Sequence, residues 1–408
     1  MKTIIIGGGA SGLACAIESA KCGNDVTIIE KNEKIGKKLY ITGKGRCNIT
    51  NDCSETEFLE NVVTNPKFLK SSIYAFNSEK TIELFESNGL QLKTERGRRV
   101  FPFSDKSSDV IKTLGEICKK NGVKIHLQEN VLDLIVENNV VKGVKTDKGE
   151  YFCNKVVICT GGKSYSSTGS TGDGYVFAKK TGHTVVQLKP ALCPIYLKEE
   201  WVKQVQGLSL KNVTLTAFAK QKIVFSQMGE LLFTHFGISG PLVLSASSFI
   251  NKHAIKDVYL VLDLKPALSY EQLSDRILRD FIKYKNKDLQ NALIDLLPKS
   301  LIKPIIVLSG ISPIKKTDVI TKEERKKLVE TLKNIKFTLS KFASIEESII
   351  TSGGVSVKDI NPKTMESKII SNLFFAGEVI DTDALTGGYN LQIAFSTGFV
   401  AGRGEKND

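Results

Sequence analysis

Apolar residues follow different rhythms in different stretches of the chain. At the start, Thr3 to Ile6 is an apolar run of strand size. A glycine turn follows, and Leu13, Ala14, Ile17 and Ala20 then recur at helical spacing within Ala10 to Cys22. A second strand over Asp25 to Glu30 completes a βαβ unit. Further on, the pattern predicts a helix over Ser108 to Asn121 and strands over Val123 to Gln128 and Val131 to Glu137. A β-branched run from Lys155 to Cys159 ends in Thr160-Gly161-Gly162. Strands alternating with helices predict an α/β domain of Rossmann type around a mainly parallel sheet.

Near Leu188 the rhythm changes. Segments such as Val213 to Phe218 and Lys222 to Phe225 are separated by turn signals, with no helix long enough for a crossover, which predicts a β-rich insertion over residues 189–266. Residues 267–346 carry helical patterns instead, Tyr270 to Tyr284, Asp288 to Leu296 and Thr321 to Asn334, with breaks expected at Pro298, Pro304 and Pro313. This stretch reads as a helical cap and return. Strand and glycine text resumes at Ile349 to Val355 and Leu373 to Ala376, and a closing helix is expected from Asn390 to Gly402. The first domain is therefore predicted to be discontinuous, residues 1–188 joined by 347–408.

Composition narrows the classes. A chain of 408 residues with 41% hydrophobic content builds real cores, which excludes a disordered or small disulfide-stapled protein. The net charge of +13 favours anionic partners: nucleic acid such as ribosomal RNA, or an anionic cofactor or small-molecule substrate. The segment from Tyr270 to Lys336 is itself basic. The 8 cysteines form no C-x-x-C pair and there are 4 histidines, so no metal site is expected and the thiols read as reduced, in the cytoplasm. Gly7-Gly8-Gly9 interrupts the apolar Ile4 to Ile6 too early for a signal peptide, and no run approaches ~18 apolar residues. A soluble chain without a membrane partner is the expectation.

The chemistry starts at Gly7-x-Gly9-x-x-Gly12. Between a strand and an amphipathic helix, this spacing has a physical cause at each glycine: a tight turn, backbone approach to a pyrophosphate, and close packing of helix on strand. Glu30 closes the next strand about 20 residues on, where an acid binds a ribose hydroxyl. Its charge repels a 2′-phosphate, so the site suits FAD or NAD. Two further elements favour FAD. One is a second glycine loop, Gly36 to Asn48; the other is a strand ending in Ala376-Gly377-Glu378 followed by Gly387-Gly388 before a helix start. A second dinucleotide fingerprint is absent, because Gly169, Gly172 and Gly174 have the wrong spacing. NADH or NADPH, as electron donor, is then expected to visit the open flavin face and leave before the acceptor enters.

The combination of Gly7 to Gly12, Gly43-Lys44-Gly45-Arg46-Cys47-Asn48, Arg99 to Pro102, Gly161-Gly162 to Gly174, Thr234 to Pro241 and Gly387 to Gln392 resembles the HI0933-like family of FAD-dependent oxidoreductases. The resemblance implies a discontinuous FAD-binding domain of glutathione-reductase type with β-rich and helical insertions. It implies that Gly7, Gly9, Ala10, Ser11, Gly12 and Glu30 hold the ADP half, that Val131 meets adenine through its backbone, and that Gly377, Glu378, Asn390 and Leu391 hold the ribityl chain and flavin. The cofactor set extends to Lys31, Lys38, Thr42, Gly43, Gly45, Arg46, Asn48, Thr160, Gly161, Gly162 and Gly388. One departure stands out: where the family usually reads Ser-Tyr-Pro, this chain reads Ser164-Tyr165-Ser166, without a rigid turn residue.

Three residues are candidates for catalysis. Cys47 lies beside Arg46 and near Lys44, whose charges are expected to lower its thiol pKa; its natural role is to donate a proton opposite a flavin hydride, against the plain alternative of packing. His235 sits in a glycine-flanked loop, and Arg46 is a candidate for orienting a carbonyl. Tyr165 and Tyr389 are further candidates, Tyr389 rather as a packing residue. The basic cluster Arg96, Arg98 and Arg99 is either a solvated face or a phosphate track. The family's reported activities imply reduction of a carbonyl-conjugated C=C bond, in uridine of ribosomal RNA or in a 3-oxo bile acid. A flavin amine oxidase and an RNA-binding protein with a structural flavin are the alternatives.

Overall fold

The computed structural model describes residues 1–403. In chain order the elements used below are β1 (Lys2–Ile6), α1 (Ala10–Lys21), β2 (Asp25–Glu30), α2 (Ser107–Lys120), β3 (Lys124–Leu127) and β4 (Lys155–Ile158). Then come β5 (Ile195–Leu197), β6 (Ser209–Ala219), β7 (Lys222–Phe233), β8 (Gly237–Ser239), α3 (Pro241–Ile250), β9 (Val258–Asp263), α4 (Tyr270–Lys283), α5 (Lys322–Lys333) and β10 (Ile335–Phe342). The last two are β11 (Leu373–Phe375) and α6 (Tyr389–Arg403). The chain divides into two compact units, one of Met1–Ala191 with Ser344–Asp408 and one of Leu192–Ala343.

The first unit is built on a parallel sheet ordered β11-β4-β1-β2-β3. Ile4 and Ile5 of β1 and Val156 to Ile158 of β4 are buried on both faces. That is why these strands read as continuous apolar runs rather than alternating ones. Because all the strands run the same way, the loops that follow them emerge at one edge of the sheet. Val131–Glu137 forms a separate antiparallel sheet with Val140–Thr146 and Glu150–Phe152. Val185–Ala191 pairs with Ile350–Val355, so the two sequence-distant parts of this unit share a ladder.

Helix α6 lies against α1. A Cβ on Gly398 would collide with the Ser11 carbonyl oxygen, so the two backbones approach as closely as a glycine allows. Buried Lys155 closes the far end of α6, donating to the Ala401 and Gly402 carbonyls at 2.5 and 3.3 Å beneath the Phe374 ring. Gln392, fully buried, ties three elements together. Its Oε1 accepts from Thr50 Oγ1 at 2.6 Å, while its Nε2 donates to the Phe76 carbonyl at 3.0 Å, at the end of the helix Pro66–Ala75.

The second unit is a closed barrel ordered β5-β8-β7-β6-β9-β10. Its interior is filled by Leu215, Ala217, Leu260, Leu262, Phe337 and Leu339, and the apolar faces of α3, α4 and α5 join the same core through Leu242, Ile277 and Leu328. The residues assigned from sequence to a β-rich insertion (189–266) and a helical cap (267–346) thus form one unit. The reason is β10: after the helices the chain returns as a strand that pairs with β9 and β5 and closes the barrel. Pro304 does not break its helix, contrary to expectation. Lys299–Leu308 runs through it, because Leu301, Ile302, Ile305 and Ile306 bury a continuous apolar face that outweighs the roughly 3 kcal/mol lost at an interior proline. Among the described residues no helix is long and apolar enough to cross a membrane.

Gln392→Ala leaves the buried Thr50 hydroxyl without its acceptor and the Phe76 carbonyl with Ser396 Oγ alone, costing about 2 kcal/mol. The expected result is a thermal midpoint lowered by about 4–8 °C in a scan of this unit; a change below about 1 °C would contradict the assigned role.

Candidate functional site

The loops at the carboxyl edge of the parallel sheet converge as the topology requires. Gly7 follows β1, Lys31 follows β2, Cys159 to Gly162 follow β4, and Ala376 to Glu378 follow β11. The Gly7 N–H donates to the Ile29 carbonyl at 2.9 Å, so the turn begins at once. Gly7 has φ +104°, and a Cβ on Gly12 would strike the Gly7 carbonyl oxygen, which fixes glycine at both positions. Where a Cβ of Gly9 would stand there is no atom within 4 Å, so this side of the loop is open. Gly9 caps α1, with no side-chain cap and no acid in the first turn, which leaves the Ala10, Ser11 and Gly12 end of the helix for an anion.

Buried Glu30 stands at this edge. Its Oε2 accepts from the Gly8 N–H at 2.7 Å, and its Oε1 accepts from the Asn32 backbone N–H and Nδ2 at 2.8 and 2.6 Å. Asn32, which sequence reasoning did not single out, therefore orients the acid. The Gly36 N–H donates to the Gly8 carbonyl at 2.9 Å, bringing the second glycine loop against the first. Lys31 is engaged elsewhere, with Asp173 at 2.6 Å and with Thr171.

A second cluster centres on Glu378. Lys38 Nζ donates to its Oε2 at 2.7 Å and to Ser164 Oγ at 2.8 Å; Oε1 accepts from the Thr351 N–H at 2.8 Å and from Ser164 Oγ at 3.1 Å. A Cβ on Gly162 would meet Thr351 Oγ1 and Glu378 Oε1 at 2.6 and 2.8 Å, and one on Gly377 would meet the Ser11 side chain. The cluster is thereby packed against the first glycine loop. Thr351 and Ser164 lie in a strand and a loop whose apolar pattern hides them. Gly161 has φ +73°, and beside it Thr160 Oγ1 is buried with no hydrogen-bond partner.

The second glycine loop corrects one expectation. Gly43 and Lys44 are both left-handed, and Gly45 and Cys47 have φ +84° and +57°. Thr42 holds the start of the loop, its Oγ1 donating to the Leu39 carbonyl at 2.7 Å and its carbonyl accepting the Cys47 N–H at 3.0 Å. The Cys47 thiol is not lowered. Burial pushes it up to about 11, and a hydrogen bond with Thr42 offsets only part of that. The Arg46 charge is spent: its guanidinium pairs with Glu95 and with Asp105 (2.6 Å) and lies 4.2 Å over the Phe101 ring. Arg46 so placed holds the loop rather than a substrate carbonyl. Asn48 Oδ1 is buried without a partner.

The remaining candidates separate. Asn390 Oδ1 accepts from the Ala384 N–H at 3.0 Å, and its Nδ2 donates to the Ala384 carbonyl at 2.8 Å, so it shapes the turn before α6. Half-buried Leu391 follows it. A Cβ on Gly388 would collide with the Thr50 backbone, and Asn51 Nδ2 donates to the Gly387 carbonyl at 3.0 Å, which joins this turn to the strand after Asn48. Tyr389 packs edge-on against Phe58, and burial raises its phenol to about 12. Buried Val131 opens its strand opposite Thr146. Tyr165 is left-handed (φ 54°); a proline at 166 would push it to extended backbone, so Ser166 permits this loop shape. Arg98 pairs with Glu57 of the helix Glu55–Glu60 at 2.6 Å, and Arg99 Nε donates to the Arg96 carbonyl at 3.0 Å, at an exposed hairpin tip. His235 is exposed in the turn between β7 and β8 of the barrel unit, edge-on to Phe236.

The edge suits FAD. It offers an uncapped helix start beside an open glycine for a pyrophosphate, an oriented acid for ribose, and two buried oxygens, Asn48 Oδ1 and Thr160 Oγ1, that lack partners among the described residues.

The chain is 30% identical to a 3-dehydro-bile acid delta(4,6)-reductase of Clostridium scindens, over 98% of this chain and 97% of that protein. It is 32% identical to a ribosomal RNA dihydrouridine synthase of Haemophilus influenzae, again over 98% and 97%. A flavocytochrome c3 fumarate reductase in an open conformation shares the fold at TM-score 0.50 and 18% identity, covering 99% of this chain and 77% of that one. The architecture is that of FAD-binding, Rossmann-type flavoenzymes. A model described as the HI0933-like protein Rossmann domain matches residues 1–404, and the chain belongs to that family.

Proposed function

We propose that this protein is a flavin-dependent reductase of a carbonyl-conjugated C=C bond, with FAD held at the carboxyl edge of the parallel sheet and uridine of ribosomal RNA as its acceptor. The observation that carries this reading is that two relatives matched over nearly the whole chain, with unrelated substrates, have names that share one bond chemistry. Uracil carries its C5=C6 bond in conjugation with a carbonyl, and a 3-oxo bile acid with a 4,6-diene does the same. The charge of +13 favours the polyanion of the two. The bile-acid relative matches equally far, so a steroid enone is the second reading.

In this proposal Ala10 to Gly12 receive the pyrophosphate, Glu30 a ribose hydroxyl, and the Lys38, Ser164 and Thr351 cluster holds the Glu378 carboxylate beside the chain of the cofactor. Held there and reduced by the donor, the flavin would supply hydride chemistry towards the electron-poor β-carbon. NADH or NADPH is the proposed source of electrons. The proton for the α-carbon falls to the protein, and the Cys47 thiol is the group in the second glycine loop that holds one at Sγ through the whole neutral range. His235 receives no role here.

The acceptor is tested by incubating the protein with NADPH or NADH and uridine-containing ribosomal RNA or a 4-en-3-one steroid. Dihydrouridine in the RNA, with affinity falling steeply as salt rises, is the expected result. Steroid reduction with no salt dependence would move the substrate to the second reading, and turnover of neither would reject the proposal. For Cys47, the acid form is the active one, so acceptor reduction should stay level from pH 6 to 9 as far as this group is concerned and fall only towards its value of about 11. Cys47→Ala is expected to slow acceptor reduction by about 10²-fold in stopped-flow single turnovers. Unchanged single-turnover rates in Cys47→Ala would return this thiol to a packing role.

A further inference from the structure

The outer face of the barrel carries a feature that the reaction above does not use. Along β6 the side chains alternate, Leu215 and Ala217 inward, Thr216 and Phe218 outward. Register across the sheet sets Phe218 opposite Tyr259 of β9, Tyr259 opposite Thr338 of β10, and Phe218 opposite Ile223 of β7. The Phe218 and Tyr259 rings stack with centroids 4.7 Å apart and 5° between their planes, both partly exposed. Ile223, 63% exposed, flanks the Phe218 side of the stack. On the other side the neighbour is the short Thr338, which leaves the outward face of Tyr259 room for another flat ring.

Charge surrounds this stack. Lys220 and Lys222 lie at the tight turn joining β6 to β7, Lys336 lies opposite Val261 one row away, and the Lys198 N–H donates to the Thr338 carbonyl at 3.0 Å. All four lysines are exposed, and among the described residues none has a carboxylate within 4.0 Å. The nearby acids are Glu199, whose Oε1 accepts from the Thr338 N–H, and Asp257, whose carbonyl accepts from the Lys220 N–H; Asp263 is taken by Lys333 at 2.7 Å. An aromatic stack with an open end, set among unpaired cations, matches the two demands of a single strand: a ring face for a base and positive charge along its backbone. A protein partner could use the aromatic stack and Ile223 but would leave the four lysines around them without an anion, whereas a single strand answers both features.

We propose that the outer face of β6, β9 and β10 is a docking platform for single-stranded RNA, a base stacking on Tyr259 and the phosphates tracking Lys198, Lys220, Lys222 and Lys336. The proposal deepens the RNA reading above and rests on it for its biological meaning. It uses residues of the barrel unit, none of which is assigned to the cofactor.

The test is fluorescence anisotropy with a fluorescein-labelled oligouridine twelve-mer and the full-length flavin-loaded protein. Tyr259→Leu is expected to weaken binding about tenfold or more, while Tyr259→Phe binds like the wild type, since a ring and not a hydroxyl is required. Replacing Lys222 and Lys336 together by alanine should lower the slope of log affinity against log salt by about 1.4, roughly 0.7 per phosphate contact on a single strand. Circular dichroism is recorded for each variant, and only variants with the wild-type spectrum are compared. Equal binding by folded Tyr259→Leu, or equal wild-type affinity for a duplex of the same length, would overturn the platform. Uridine reduction is measured on the wild type alone, so the two ideas fail separately. Loss of binding in Tyr259→Leu without any wild-type uridine reduction keeps the platform and rejects the substrate; uridine reduction with undiminished Tyr259→Leu binding does the reverse.

Discussion

Between β1 and α1 there is no room for a side chain. The Gly12 position faces the Gly7 carbonyl oxygen, and Gly7 itself takes a conformation that other residues avoid. This close crossing is what allows the start of α1 to point its free N–H groups across the edge of the sheet, and other parts of the site take their position from it. Ser11 meets both Gly377 and Gly398, so β11 and α6 are placed against the same short stretch. The Gly8 carbonyl and N–H hold Gly36 and Glu30. A substitution that widened this crossing would move the acid, the second loop and the closing helix together.

The site that results is held by polar groups that mostly satisfy one another. Glu378, Lys38, Ser164 and Thr351 form a closed set, as do Glu30, Gly8 and Asn32, and such sets keep their geometry because each lost partner leaves a buried group unpaired. Against that background the unpartnered Asn48 and Thr160 oxygens mark where a further group belongs. The Arg46 charge near Cys47 has gone to Glu95 and Asp105, which is why this thiol follows its burial and not its basic neighbours. Proximity in sequence to an arginine therefore says little about a thiol until the arginine's own partner is known.

Much of this was legible in the sequence for a simple reason. Glycine spacing after an apolar strand reports backbone geometry directly, so the βαβ unit with Glu30 closing its second strand could be read from residues 1–30, and the return of strand and glycine text near residue 347 marked the first unit as discontinuous. The resemblance to the HI0933-like family, carried by motifs spread along the chain, matches the family found by comparison. What could not be read depends on partners far apart in the chain. Thr351 and Asn32 are ordinary residues in apolar or loop text, and they matter because a strand and a turn bring them to Glu378 and Glu30. The barrel escaped division by pattern because β10, its closing strand, follows a run of helices and pairs with β9 and β5, both far from it in sequence. Pro304 likewise obeys tertiary burial over local propensity.

The central claim is that the carboxyl edge of the sheet holds a flavin that exchanges electrons. The most direct measurement is an anaerobic absorbance titration of the purified protein with NADH and NADPH. The expected result is a bound-flavin spectrum that bleaches on addition of one of the two. A protein that takes up no FAD, or a bound flavin that stays oxidised with both donors, would contradict it.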